Sequence, residues 1–90
     1  MSIVGANGVD LWVEQEGAGD DVLFIAGLAD EGACWVDQVA GLRDRYRVTT
    51  FDNRGVGRSA APPGEYRIAD FAADTAALMD ALGLDRKSVV

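Results

Sequence analysis

Hydrophobic and polar residues follow a two-residue period near the start of the chain, then change to continuous and helical patterns. Val9, Leu11 and Val13 alternate with Asp10, Trp12 and Glu14, as in a half-buried strand. Ile3-Val4 precedes them, with Asn7-Gly8 between. Both central residues of a type I′ turn need positive φ, and Asn-Gly meets that need, so residues 3–17 predict a β-hairpin. After the loop Gly17-Ala18-Gly19-Asp20-Asp21, Val22–Ala26 is an unbroken apolar run, the pattern of a strand covered on both faces.

The next segment changes period. Trp35, Val36, Val39 and Leu42 recur at helical spacing, with Asp37, Arg43 and Asp44 toward water, predicting a helix over about Ala33–Arg43. Asp30 and Glu31 stand near its N-terminus, where the helix dipole favours negative charge. Tyr46–Phe51 reads as a strand. Ala61-Pro62-Pro63-Gly64-Glu65 then forms a rigid break. A second helix is expected over Ile68–Leu82, with Ile68, Phe71, Ala72, Thr75, Leu78, Met79 and Leu82 on one face and Gly83 at the C′ position. Arg67 takes its N-cap site, and Asp70 and Asp74 are assigned to the dipole. Ser88-Val89-Val90 begins another apolar run. Alternating strands and helices after an antiparallel hairpin predict an α/β fold with a mostly parallel sheet and right-handed crossovers.

At 90 residues the chain is one small domain or a piece of a larger one, since α/β enzymes more often need roughly 200 or more. A hydrophobic share of 49% fits a globular core. A net charge of −7 argues against nucleic acid and anionic membrane as partners, because both attract Lys/Arg-rich surfaces. The N-terminus carries neither a basic region nor a long apolar run, and no stretch approaches the length of a bilayer span. A soluble cytoplasmic protein is the expectation. Cys34 is the sole cysteine, so no disulfide framework or metal-ligand spacing exists; beside Trp35 it is expected to be a small buried residue.

The chain contains no histidine, the usual base of a serine or cysteine hydrolase, so a complete Ser-His-Asp site cannot lie within it. Gly55-Val56-Gly57-Arg58-Ser59-Ala60 fits a loose dinucleotide pattern. That motif works only where it opens a helix, and Pro62-Pro63 intervenes, so no cofactor is expected. The same context argues against Ser59 as an elbow nucleophile; it reads as a turn residue.

The order strand with Gly-Leu turn, helix, strand, Asp52-x-Arg54-Gly55-x-Gly57-x-Ser59 loop, Pro-Pro and helix resembles the N-terminal part of the α/β-hydrolase fold family, from Ile3 to Leu84. The resemblance implies that the loop is architectural, with Arg54 holding loop carbonyls and neither Asp52 nor Arg54 catalytic. It implies that the backbone N–H of Leu28 is an oxyanion-hole donor, with Gly27 allowing close approach. Ala26 stands where the family commonly has histidine. The glycine is not followed by Pro or Asn, as it often is in dehalogenases and epoxide hydrolases of this fold. The implied parent is therefore a serine hydrolase acting on a small carboxylic ester or lactone. Alternatives are a non-hydrolytic member, such as a cofactor-free oxygenase or lyase, and a small non-catalytic α/β binding module.

On this reading residues 1–90 are a partial domain truncated before the nucleophile elbow, inactive alone, with an open edge along Val22–Ala26 where the next strand would pair. Asp85–Val90 includes the sole lysine, Lys87, and can be encoded by GAT CGG AAG AGC GTC GTG, a string that matches a common sequencing adapter. The expectation is that the natural sequence departs near Leu84; the alternative is that Arg86–Val90 opens an authentic strand.

Overall fold

The computed structural model describes residues 2–27 and 30–84. Strands β1 (Ser2–Ala6) and β2 (Val9–Glu16) form the expected hairpin, paired from Ser2↔Val13 to Ala6↔Val9. Its turn residues Asn7 and Gly8 have φ of 53° and 75°, the left-handed pair that a type I′ turn requires. Val9, Leu11 and Val13 are buried, while Asp10 is exposed and Trp12 and Glu14 are half-buried. The period-two pattern thus separates the two faces of β2.

Strand β3 (Asp20–Phe24) pairs in parallel with β4 (Tyr46–Phe51), and β4 pairs antiparallel with β2. The four-stranded sheet has the order β1-β2-β4-β3. Among the described residues it is mixed, with β3–β4 its parallel pair. Strand β3 occupies Asp20–Phe24 rather than Val22–Ala26. Pairing decides its limits: the register runs from Asp20↔Tyr46 to Phe24↔Thr50, and Arg47 clamps Asp21 through two hydrogen bonds. Ile25 and Ala26 run past the ladder. Among the described residues, β3 is the outermost strand on this side of the sheet.

The helices cover opposite faces. A 3₁₀ turn (Gly32–Trp35) leads into α1 (Val36–Leu42), where one continuous helix was expected. Gly32 is seated against β4: a Cβ there would meet the Phe51 carbonyl oxygen at 2.9 Å. Trp35 stacks on Phe24 with ring centroids 4.7 Å apart. No residue of α1 is fully buried, and Val36 is 66% exposed, so its apolar stripe is only partly covered. Cys34 is exposed, not buried, because the 3₁₀ turn rotates it off the face that Trp35 buries.

Helix α2 (Ile68–Leu82) matches the expected limits, and Gly83 ends it in the left-handed conformation. The Arg67 N–H donates to the Asp70 carboxylate at 2.8 Å, which fixes the entry to the helix. Leu78 and Met79 join Ala6, Val9, Leu11, Val13, Leu23 and Phe51 in one core cluster. Ile68, placed on that face by its spacing, is instead 74% exposed. It lies in the first turn, beyond the core cluster.

Asp74 was assigned to the dipole, yet it is fully buried on this face. Arg54 Nε and Nη2 donate to its two oxygens at 2.6 and 2.7 Å, and Asn7 Nδ2 donates at 3.0 Å. Arg54 therefore grips a helix carboxylate rather than loop carbonyls. Burial opposes the Asp74 charge, but the hydrogen bonds from Arg54 and Asn7, with the Arg54 charge, hold it below the usual carboxylate range. A lowered native value gives stability that is complete above the unfolded value, about 3.9, and is lost as pH falls through the native one. Urea titration of the chain and of Asp74→Asn should show a large gap at pH 7 that narrows as pH drops below about 4. A gap independent of pH would contradict this assignment.

Candidate functional site

The loop leaving β4 sends consecutive side chains to opposite faces, continuing the strand alternation. Phe51 belongs to the core cluster under α2, and Asn53 lines a groove beside that helix. Asp52 points to the other face, toward the start of the 3₁₀ turn. Its Oδ1 accepts from the Gly32 N–H at 2.7 Å, and its Oδ2 accepts from the Arg58 N–H at 3.1 Å. One buried carboxylate thus ties the segment after β3 to the segment after β4.

Gly57 makes that arrangement possible. It has φ of 53°, and any Cβ would collide with Asp52 Oδ2. Ser59 does more than form a turn. Its hydroxyl donates to the Asp52 carbonyl and accepts the Trp12 N–H at 2.8 Å, joining the loop to β2. Arg58 lies over the Trp12 ring, 4.8 Å from its centroid.

The glycine loop spends four of its backbone donors on its own carbonyls and on one of β2. Gly55 N–H reaches Ala60 O, Val56 N–H reaches Asn53 O, Ser59 N–H reaches Val56 O, and Ala60 N–H reaches Asp10 O. These amides are committed, and the loop runs through coil to Arg67 instead of opening a helix. A phosphate cradle needs free N–H groups at a helix start, and this loop is built as a brace. Among the described residues, no three His, Cys, Asp or Glu side chains converge as metal ligands.

Gly27 lies exposed beyond β3, and the Asp30 N–H donates to its carbonyl at 3.0 Å. A Cβ on Gly27 would stand 3.0 Å from Asp30 Oδ2, the end of an exposed side chain that can move aside. Leu28, the expected oxyanion donor, and Asp85–Val90 fall outside the described residues. The structure brings Asp52, Gly57 and Ser59 together and sends Arg54 to Asp74. Two polar groups that the spacing argument passed over are Asp74 and Asn53. Asp74 stands between Phe71 and Leu78 at helical spacing, and Asn53 follows Phe51 at strand spacing. Those intervals were the available signal.

This order of strands, braced loop and helices has counterparts among known proteins. Residues 21–90 match the family profile described as alpha/beta hydrolase fold. The chain belongs to that family. It is 46% identical over 71 residues to a Caulobacter segnis protein provisionally named carbamate hydrolase RutD, covering 77% of this chain and 27% of that one. It is 39% identical over 83 residues to a Synechocystis sp. protein provisionally named non-heme chloroperoxidase, covering 91% and 30%. An epoxide hydrolase structure from Vigna radiata superimposes with a TM-score of 0.87 at 34% identity, covering 92% of this chain and 28% of that one. The enol-lactonase of Burkholderia xenovorans superimposes with a TM-score of 0.84 at 31% identity, covering 91% and 33%. The chain therefore spans between about a quarter and a third of the length of these family members.

Two outcomes test the site geometry. Asp52→Ala strands the buried Gly32 amide, at a cost of roughly 1–3 kcal/mol for an unsatisfied donor, and leaves the amide of exposed Arg58 to solvent. Urea unfolding should show it, and a loss below about 0.5 kcal/mol, the range of ordinary surface changes, would remove Asp52 as the tie. Cys34 should be labelled by a disulfide reagent in native buffer, since it is exposed. Its rate should be slower than that of free cysteine, because partial burial of the thiol and the nearby Asp30 charge raise its pKa. Labelling only after denaturant is added would restore the buried reading.

Proposed function

We propose that this chain is the N-terminal part of a serine hydrolase that cleaves a small carboxylic ester or lactone. The observation that carries the reading is the Asp52 tie, which braces the segment after β3 against the glycine loop. That segment contains Gly27 and Leu28, and in this reading Leu28 N–H supplies one oxyanion-hole donor while Gly27 keeps the approach clear. The nucleophile, its acid and its histidine come from polypeptide other than these residues. The substrate is a small molecule, and no cofactor takes part. The enol-lactonase likeness supports lactone or ester chemistry, as does a carbamate hydrolase name, since a carbamate is also attacked at an acyl carbon.

A second reading has its own support. The Synechocystis relative named as a chloroperoxidase covers 91% of the chain, which favours a non-hydrolytic member of the fold.

The parent gene, cloned from genomic DNA and expressed in full, separates the two. Saturable hydrolysis of p-nitrophenyl butyrate or a small lactone, lost when the elbow serine is changed to alanine, is the expected result. Absence of a serine at the nucleophile position, or activity unaffected by its removal, would discard the hydrolase reading. The 90-residue chain assayed alone should turn over p-nitrophenyl acetate no faster than an inert protein of similar composition.

A further inference from the structure

The hairpin turn carries a group that the fold accepts in one chemical form only. Asn7 stands exposed with φ of 53°, and Gly8 follows it with φ of 75° and open space where a Cβ would stand. Asparagine is a thermolabile residue, and a following glycine leaves the backbone nitrogen that attacks it unshielded. In that reaction the Gly8 nitrogen, having lost its proton to hydroxide, bonds to Asn7 Cγ; the Cγ–Nδ2 bond breaks and ammonia leaves. Water then opens the cyclic imide. Cleavage at Cγ gives aspartate, and cleavage at the backbone carbonyl gives isoaspartate, with Gly8 linked through the side chain. Asn53, the second asparagine of the chain, precedes Arg54 and is 4% exposed, so it has neither advantage.

Either product conflicts with what surrounds Asn7. Its Nδ2 donates to Asp74 Oδ1 at 3.0 Å, and the same oxygen accepts Arg54 Nη2 at 2.7 Å. Asp74 is fully buried, and Arg54 is the guanidinium paired with it. An aspartate at position 7 replaces a neutral donor with a second carboxylate beside one guanidinium, so a negative charge is left uncompensated against a buried pair. An isoaspartate adds a backbone carbon to the two-residue turn that closes the Ala6↔Val9 pair.

We propose that Asn7 is a modification site, and that its deamidation releases the hairpin turn from helix α2 and irreversibly weakens the Arg54–Asp74 pair. Loss of the one neutral donor turns a closed set of three side chains into a like-charge contact. A reaction on the exposed turn is thereby felt at the middle of α2. The inference rests on the turn and the Asp74 cluster, and it is independent of which substrate the parent cleaves.

The test uses the full-length parent, expressed from genomic DNA and aged in mildly alkaline buffer. Peptide mapping by mass spectrometry should show the Asn7 peptide gaining the mass of an amide-to-acid change and splitting into aspartate and isoaspartate forms. The Asn53 peptide should stay unchanged. Gly8→Asn keeps a residue that tolerates positive φ but shields the attacking nitrogen, and should slow conversion at Asn7 severalfold. The modified fraction and Asn7→Asp should each melt at least about 3 °C lower, since a hydrogen bond to a buried charge is lost and a like charge takes its place. Asn7→Gly, which removes the donor without adding charge, should melt between Asn7→Asp and the unaltered protein. If Asn7→Asp does not fold, the aged fraction of the unaltered protein supplies the same comparison. The proposal is overturned if Asn7 is not converted, if Asn53 is converted as fast, if Gly8→Asn leaves the rate unchanged, or if the modified fraction melts with the unmodified one. No readout uses a substrate, so a failed esterase assay and a failed conversion are separate results.

Discussion

The buried ion pair between Arg54 and Asp74 is the constraint on which the arrangement of elements depends. It joins parts of the chain that share no local pattern: the hairpin turn through Asn7, the loop after β4 through Arg54, and the middle of α2 through Asp74. Hydrophobic contacts could hold α2 against the sheet in several nearby registers, since Leu78 and Met79 only need to be covered. A bidentate guanidinium–carboxylate pair admits one geometry. Its desolvation is costly, so its worth lies less in net stability than in excluding alternatives.

Three successive residues at the end of β4 then do three different jobs. Asp52 reaches to one face and holds Gly32 and Arg58. Asn53 reaches toward the α2 face and lines the groove with an acceptor that has no partner among the described residues. Arg54 reaches the helix itself. Strand alternation separates the first two, and Gly57 lets the chain turn back without a side chain striking Asp52. The loop is therefore a bracket that fixes the segment after β3 and the helix α2 relative to one strand. Its side chains are spent on backbone amides and on one helix carboxylate, and what they fix is position.

Elements set by local rules were legible in the chain. The hairpin was written in Asn7-Gly8 and an alternating arm, strand β4 in its β-branched and aromatic residues, and helix α2 in a seven-position stripe closed by Gly83. Elements set by distant partners were not. The limits of β3 follow from its register with β4 and from the Asp21–Arg47 pair, neither visible in Val22–Ala26 alone. The helix expected from Ala33 begins as a 3₁₀ turn because Gly32 is packed against Phe51 and held by Asp52. That turn also exposes Cys34. Asp74 shows the limit most clearly: its charge assigned it to the helix dipole, and only the fold brings Arg54 and Asn7 to it on the buried face. The motif Asp52-x-Arg54-Gly55-x-Gly57-x-Ser59 revealed the family, while the partner of each of its side chains had to come from the fold.

A double-mutant cycle on Arg54→Met and Asp74→Leu, read by urea unfolding at pH 7, tests the bracket most directly. Each single change leaves one charge without its partner, whereas the double change replaces the pair with apolar side chains. The account predicts that the double variant is more stable than the sum of the single losses allows, with a coupling of roughly 2–3 kcal/mol. Additive losses, with coupling below about 0.5 kcal/mol, would mean that the two residues merely lie side by side and that α2 is held by its apolar face alone.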